Sequence, residues 1–235
     1  MKINDYGIEK IIEDALINEI PVSATIELAT ICNWRCKHCY IPRHNDKGMS
    51  FEKITEILDE LRAMGVFQLV LTGGELLLRK DILEIIEYAR KNYFRVNILS
   101  NASLLTDEIA KRLAELYITD YSLTIFSLDE KIHDGITNAK GSLKATLRGV
   151  ELLKKYNIPI EIKTPTIADN YKEFIKVKDI QINMNQPNAD LFEESRKYIN
   201  LNENVFDKVK DKYDAIIVGS DEMWNLQPLC RPCNR

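Results

Sequence analysis

Apolar segments of strand length alternate with amphipathic segments of helical length along most of this chain. The strand-like segments are 23–30, 67–72, 94–99, 121–126 and 158–164. The segments between them with apolar residues at helical spacing are 51–64, 81–92, 106–116 and 142–156. This order constrains the fold strongly, because parallel strands joined by crossover helices wind right-handedly and carry those helices on the sheet. It predicts a parallel α/β sheet with outer helices.

The length of the chain decides which parallel α/β fold is expected. At 235 residues it is slightly shorter than an eight-unit α/β barrel, which needs about 250 residues. A further apolar run, Asp214–Val218, would supply a sixth strand. We therefore expect a partial (β/α)6 TIM-type barrel of the α/β class. Residues 1–180 would form the core barrel, and residues 181–235 a short C-terminal extension with the sixth strand and a Cys-x-x-Cys tail.

Charge and hydropathy argue against several classes of protein. The formal net charge is −4, so no basic field indicates nucleic acid or an anionic membrane as a partner. No apolar run reaches the roughly 20 residues that a membrane-spanning helix requires. Residues 1–10 lack the apolar region of a signal peptide, which predicts a cytoplasmic protein.

The cysteines fall in two tight groups. The chain has five, and an odd number without an export signal makes a complete disulfide framework a poor interpretation. Cys32, Cys36 and Cys39 follow the first strand, whereas Cys230 and Cys233 lie near the end of the sequence. In a reducing compartment such grouping indicates metal.

The first cysteine group lies where parallel α/β folds place their active sites, at the carboxyl end of a strand. Clusters of the 4Fe–4S type that only transfer electrons are held by four cysteines. With three, one iron keeps an open position, as catalytic zinc does. The alternative is a zinc site completed by His38 or His44, but the C-x3-C-x2-C spacing fits zinc less well.

The next three strands also run into polar or glycine-containing segments. Gly73 and Gly74 would let the backbone approach a ligand closely, and Glu75 offers an acceptor for an ammonium group. Ser100-Asn101 follows the third strand, and residues 124–127 follow the fourth. Each segment is also consistent with an ordinary strand-to-helix turn.

The sequence CNWRCKHCY, which contains Cys32, Cys36 and Cys39, resembles the signature of the radical S-adenosylmethionine (SAM) superfamily. His38 fits the aromatic position before the third cysteine. The resemblance implies a 4Fe–4S cluster whose open iron chelates the amino and carboxylate groups of SAM. It also implies an enzyme that reductively cleaves SAM to a 5′-deoxyadenosyl radical, which abstracts hydrogen from a substrate.

The resemblance continues at the later strand ends. Gly73-Gly74-Glu75 is similar to the superfamily's GGE motif, which binds the SAM amino group. Ser100-Asn101-Ala102 resembles its TNG turn, which places Asn101 near the cofactor. By the same resemblance Thr124 or Ser127 would contact the SAM ribose. The cation for the SAM carboxylate would come from Lys140 or Lys163.

Within the superfamily, the chain is most similar to the peptide- and protein-modifying branch with SPASM or twitch extensions. This implies a peptide or protein substrate, with a small molecule as the alternative, and an electron donor such as flavodoxin or ferredoxin. Cys230 and Cys233 are too few for a complete auxiliary 4Fe–4S cluster. They could be a fragment of such a site, a zinc pair or a redox dithiol.

Two other functions stay open from the sequence. Tyr213–Asn225, with the sequence YDAIIVGSDEMWN, resembles a segment of polysaccharide pyruvyltransferase-like proteins and would indicate a sugar-modifying transferase. A non-catalytic zinc- or iron–sulfur-binding scaffold is the other alternative. Formation of 5′-deoxyadenosine from SAM would discriminate a radical enzyme from both.

Overall fold

The structure is a computed structural model that describes residues 8–172 and residue 177. Within this part of the chain, one parallel sheet has the strand order β1-β2-β3-β4-β5. The strands are β1 (Ser23–Glu27), β2 (Gln68–Thr72), β3 (Arg95–Leu99), β4 (Asp120–Thr124) and β5 (Ile160–Lys163). The helices are α1 (Ile8–Ile17), α2 (Phe51–Ala63), α3 (Ile82–Lys91), α4 (Asp107–Glu115), α5 (Glu130–Thr137) and α6 (Ser142–Lys155). The predicted α/β class with parallel strands and outer helices is confirmed.

The two faces of the sheet carry different side chains. Leu71 of β2 and Ile98 of β3 are buried in the core that the helices cover, and burial of each is worth about 1.5–3 kcal/mol. The residues that alternate with them face the concave side. There Asn97 Nδ2 donates to Asp120 Oδ2 at 2.5 Å. A closed barrel fills this side with branched apolar residues, so a polar interior fits an open, partial barrel.

The first strand is shorter than the predicted segment 23–30. β1 ends at Glu27, after which the Leu28 carbonyl accepts a hydrogen bond from Arg79 Nη1 at 3.1 Å. A side chain rather than a neighbouring strand binds this carbonyl, and here the chain ends its regular strand. It enters the segment 28–50, called the cysteine loop below, which returns to the start of α2.

Helix α5 is not among the predicted helical segments. The Asp129 carboxylate caps it by accepting from the backbone N–H of Lys131 at 2.8 Å and of Ile132 at 3.4 Å. It ends at Asn138, which adopts the left-handed conformation with φ of 51°. The helix has 8 residues, which is little more than two turns and too short for helical periodicity to be distinctive.

Several predictions fall outside the described residues. These are the sixth strand at Asp214–Val218, the segment Tyr213–Asn225, and Cys230 and Cys233. The division of the chain at residue 180 therefore stays a prediction. Among the residues that the structure does describe, no helix is both long and apolar enough to cross a membrane.

Candidate functional site

A cavity of about 220 Å³ opens at the carboxyl ends of the strands. Predicted site residues that line it are Cys32, Cys36, His38, Cys39, Gly73, Gly74, Ser100, Asn101, Thr124 and Lys163. Lining residues that the sequence analysis did not single out are Trp34, Tyr40, Ile41, Thr72, Leu99, Ser122, Leu123 and Phe126. The structure thus gathers segments from five strand ends around one space, which is where ligands bind in parallel α/β folds.

Three predicted residues do not line the cavity: Glu75, Ser127 and Lys140. Ser127 is fully buried, and its Oγ accepts from the Asp129 N–H at 3.0 Å in the turn before α5. Of the two hydroxyl residues expected near the ribose, Thr124 is therefore the one that the fold brings to the cavity. Lys163 lines it, and its Nζ is 3.2 Å from a Glu161 carboxylate oxygen.

The three thiols of the cysteine loop are partly buried side by side. Burial, reinforced by the neighbouring thiols, raises the pKa of Cys32 and raises that of Cys36 to about 12. Thiolates so disfavoured need positive charge close by, and metal binding supplies it with release of the protons. In the described part of the chain, no group of three His, Cys, Asp or Glu side chains is arranged to hold a single metal ion.

A buried arginine ties the two ends of the cysteine loop together. Arg79 follows β2 and is 8% exposed. Its Nη1 donates to Leu28 O at 3.1 Å, where the loop begins, and to Lys47 O at 2.8 Å, where it ends. Its guanidinium also forms a two-pronged ion pair with Asp81, through Nε at 3.1 Å and Nη2 at 2.7 Å. The planar fork of arginine suits this set of acceptors, and a lysine ammonium cannot reproduce it.

We expect Arg79→Met to lower the free energy of unfolding by roughly 3–5 kcal/mol, because it leaves buried carbonyls and a carboxylate without their donor. Arg79→Lys should recover only part of the loss. Urea unfolding measures the effect, with Arg95→Met at an exposed position of β3 as the control, for which a change within about 0.5 kcal/mol is expected. Equal losses of unfolding free energy in Arg79→Met and Arg95→Met would contradict a role of Arg79 in holding the two ends of the cysteine loop together.

The glycine turn after β2 packs directly against the cysteine loop. Gly74 N donates to Ala29 O at 2.9 Å, and Glu75 N donates to Ile31 O at 2.8 Å. A Cβ on Gly74 would lie 2.2 Å from Ile31 O and 2.5 Å from Thr30 O. Both contacts are with backbone, so a side chain here must push the loop away from the sheet. Close backbone approach, rather than flexibility, is what requires glycine at this position.

Gly74→Ala is therefore expected to displace the loop that carries Cys32, Cys36 and Cys39 and to reduce iron incorporation severalfold. Gly135→Ala in α5 is the matched control, since a Cβ there meets nothing within 4 Å. That control should keep full incorporation and gain about 0.5–1 kcal/mol from helix propensity. Iron and sulfide analysis after anaerobic reconstitution measures both variants. Full cluster loading of Gly74→Ala would show that the loop tolerates a side chain here.

Glu75 lies behind the cavity wall rather than on it. Its carboxylate is 1% exposed and accepts from Leu77 N at 3.0 Å, Ser100 Oγ at 2.7 Å and Asn101 N at 2.9 Å. Burial raises its pKa, and these hydrogen bonds partly oppose the shift. No ion pair to Glu75 forms among the described residues. A buried carboxylate without a cation is costly, so the geometry fits an ammonium group bound beside Ser100 and Asn101.

A closed cycle of three side-chain hydrogen bonds joins the cysteine loop to the end of β3. Asn101 Nδ2 donates to Asn33 Oδ1 at 2.9 Å, and Asn33 Nδ2 donates to Ser103 Oγ at 2.9 Å. Ser103 Oγ closes the cycle by donating to Asn101 Oδ1 at 2.6 Å. The side chain of Asn101 therefore holds the loop between Cys32 and Cys36, in addition to its place on the cavity wall.

Helix α5 supports the same loop from the other side. Arg35 N donates to Thr137 O at 3.0 Å, and Lys37 N donates to Ile136 O at 2.9 Å. Asn138 Nδ2 donates to Arg35 O at 2.6 Å. The last carbonyls of a helix lack partners within the helix, and here the backbone between the cysteines satisfies two of them. Sequence reasoning missed this support because it missed α5.

His38 forms an aromatic part of the cavity wall. Its ring packs edge-to-face on Phe126, with 4.9 Å between the ring centroids. Burial lowers its pKa, so the imidazole is neutral at neutral pH. Its Nδ1 is buried and has no hydrogen-bond partner among the described residues. Buried polar atoms are normally satisfied, so this nitrogen fits a ligand that brings a hydrogen-bonding group into the cavity.

These features define the core of a radical SAM protein, and the chain belongs to the radical SAM superfamily, whose sequence profile matches residues 26–180. Members of this superfamily use a 4Fe–4S cluster and SAM. The resemblance carried by the three cysteines is therefore confirmed at the level of the family. The segment that resembles pyruvyltransferase-like proteins lies beyond the matched residues.

The chain is also similar to individual members of the superfamily. It is 30% identical to the AdoMet-dependent heme synthase of Methanosarcina barkeri over 160 residues, which are 66% of this chain and 45% of that protein. It is 27% identical to the antilisterial bacteriocin subtilosin biosynthesis protein AlbA of Bacillus subtilis over 216 residues, 82% of this chain and 48% of AlbA. The chain therefore spans less than half the length of these two relatives.

The fold is shared with a solved peptide-bound structure. Streptococcus suis SuiB bound to its precursor peptide SuiA superposes with a TM-score of 0.64 at 18% identity. The match covers 75% of this chain and 40% of SuiB. At that identity the likeness shows the fold alone, and it confirms the partial barrel.

Proposed function

We propose that this chain is a radical SAM enzyme that reductively cleaves SAM and abstracts hydrogen from a peptide or protein substrate. The observation that carries the proposal is the convergence of the cysteine loop, the glycine turn, Ser100-Asn101 and Thr124 on one cavity at the strand ends. Each of these segments was predicted to face the cofactor from its place in the sequence. Their meeting in one space supports a common ligand.

The residues present fit the superfamily's cofactors. Cys32, Cys36 and Cys39 would hold a 4Fe–4S cluster, and their raised thiol pKa values fall once iron supplies the charge. When bound, the cluster supplies the electron that cleaves SAM to a 5′-deoxyadenosyl radical. Glu75 would attract the SAM ammonium group electrostatically from behind the wall. His38 Nδ1 would form a hydrogen bond with the nucleoside.

The remaining cavity residues would orient SAM and exclude water. Thr124 lies at the end of β4, where its hydroxyl would meet the ribose, and Lys163 would face the SAM carboxylate once released from Glu161. Phe126 and Trp34 cover the cavity with aromatic surface. Exclusion of water and of other hydrogen donors protects a reactive radical. The cofactor carries the difficult chemistry, and the protein binds and orients it.

A peptide substrate is supported by the relatives' names and by the open barrel. AlbA is named for bacteriocin biosynthesis, and SuiB was solved with a precursor peptide. The polar pair of Asn97 and Asp120 on the concave face would offer hydrogen-bonding groups to a polar substrate. An external one-electron donor, such as flavodoxin or ferredoxin, completes the proposal, with residues 1–180 as the catalytic core of a cytoplasmic protein.

Formation of 5′-deoxyadenosine tests the reaction. The full chain is reconstituted with iron and sulfide under anaerobic conditions, then given dithionite and SAM, and the product is measured by mass spectrometry. We expect 5′-deoxyadenosine in amounts that depend on the cluster. A fully loaded cluster that yields none, or as-isolated protein that holds zinc instead of iron and sulfide, would favour the non-catalytic scaffold.

Deuterium transfer tests the substrate class. If a short peptide is encoded beside the gene for this chain, that peptide, labelled with deuterium, should pass the label to 5′-deoxyadenosine and change in mass itself. If SAM is cleaved while the peptide gains no modification and passes no label, the small-molecule alternative is favoured.

A further inference from the structure

His44 lies in the part of the cysteine loop that follows the cysteines, yet its ring turns back to one of them. The Nε2 of His44 is 3.4 Å from the Sγ of Cys39, a distance typical of an N–H···S hydrogen bond. His44 lies outside the C-x3-C-x2-C motif and does not line the cavity. Contact with SAM therefore does not explain its position, whereas contact with a cluster ligand does.

The other N–H groups around the cysteines are directed differently. Arg35 Nη1 donates to the carbonyls of Cys32 and Trp34, both at 2.7 Å, so its guanidinium is bound to backbone. Trp34 N lies 3.4 Å from Cys32 Sγ, but it is a backbone group. Among the described residues, His44 is the side chain placed to donate to a cysteine sulfur. A ligating thiolate is an acceptor, so the ring must present the N–H on Nε2.

We propose that His44 is a positioning residue that donates a hydrogen bond to the Cys39 sulfur and thereby raises the reduction potential of the cluster. Reduction adds one negative charge, which the cluster shares with its thiolate ligands. A donor on one of these sulfurs stabilises the reduced form more than the oxidised form, and hydrogen bonds to the sulfurs are known to set such potentials. The inference rests on the proposed function, because it requires a cluster at these cysteines.

Three variants of the reconstituted full chain test this role in a redox titration followed by electron paramagnetic resonance. His44→Leu removes the donor, and we expect the ratio of reduced to oxidised cluster at a fixed potential to fall about tenfold, which is about 59 mV for one electron. His44→Gln can place an amide N–H near the same sulfur and should recover most of the ratio. Asn45→Leu, a change in an exposed neutral neighbour, should leave it unchanged.

An unchanged ratio in His44→Leu would overturn the inference, and so would equal losses in the leucine and glutamine variants. Should His44→Leu fail to take up the cluster, pulsed resonance of wild-type protein labelled with 15N-histidine decides. A weak nitrogen coupling that persists in His38→Phe supports the hydrogen bond. A strong coupling means that His44 ligates iron directly, and no coupling means no contact; either overturns it. Wild-type protein that binds a cluster without cleaving SAM contradicts the proposed function instead.

Discussion

Replacing Cys36 by alanine is expected to abolish SAM cleavage, because the proposed cluster would lose one of its three cysteine ligands. Loss of an outer-shell partner alone costs about 10–100-fold in metal affinity or activity, so loss of a ligand should exceed about 100-fold. Cys36 is the most informative of the three, since its thiol pKa is raised to about 12 and its thiolate would need a bound metal for stability. Iron and sulfide content, visible absorption and 5′-deoxyadenosine formation measure the loss.

Cys230→Ala is the matched control for this experiment. It removes a thiol from the second group and should leave iron content and SAM cleavage close to those of the wild type. Loss of the cluster in Cys230→Ala would contradict the separation of the two cysteine groups. Retention of the cluster in Cys36→Ala would contradict the assignment of its ligands.

Glu75→Gln is expected to weaken SAM binding by about 100-fold or more. The substitution removes the negative charge that faces the ammonium group, and breaking a buried ion pair costs about 3–5 kcal/mol, where about 1.4 kcal/mol is tenfold in affinity. The new amide N–H₂ also opposes some of the donors that the carboxylate now accepts from, which include Ser100 Oγ and Asn101 N. Calorimetric titration of the cluster-loaded protein with SAM measures the affinity.

The pH dependence of SAM binding distinguishes the effect of the Glu75 charge from the effect of the shape of its side chain. Burial raises the pKa of Glu75 above its ordinary value of 4.5, so the wild-type carboxylate takes up a proton at a higher pH than an exposed one. SAM affinity should therefore fall as the pH is lowered towards that raised pKa, and Glu75→Gln should not show this fall. Glu84→Gln, on the exposed face of α3, controls for net charge. Equal affinities of Glu75→Gln and wild type would exclude the ammonium contact.

The sign of the stability effect at Glu75 is opposite to that of an exposed ion-paired carboxylate. A folded-state pKa above the unfolded value means that the folded state binds the proton more tightly. The stability contribution of Glu75 is present below pH about 4.5 and is lost as the pH rises through its raised folded-state pKa. A bound ammonium group would restore part of that loss, so SAM should stabilise the wild type more at neutral pH than at acid pH.

The spacing of residues along the chain was enough to predict the strands and the candidate site residues that follow them. Apolar runs of strand length and helical periodicity depend on neighbouring residues, which is why β2 and α3 were predicted within about one residue of their observed bounds. The three cysteines and Gly73-Gly74 are likewise short motifs, because their residues lie within a few positions of one another in the sequence. Since parallel strands end at one edge of the sheet, their convergence followed from the order of the elements.

Contacts between distant parts of the chain were beyond such reasoning. In the sequence, Arg79 is a charged residue before a helix with no sign of a structural role. Only the folded chain shows that it binds carbonyls at both ends of the cysteine loop. No periodicity predicts that Glu75 lies behind the cavity wall, because its burial depends on Ser100 and Asn101 from another strand end.

The sequence by itself determined the class of the fold, the three cysteines as a group and the order in which polar segments meet at the strand ends. These features depend on residue type and spacing along the chain. The tertiary structure decided how the site is held: which hydroxyl reaches the cavity, how α5 supports the loop and where His44 points. Those facts depend on distances between residues far apart in sequence, and such distances exist only once the sheet and helices have packed.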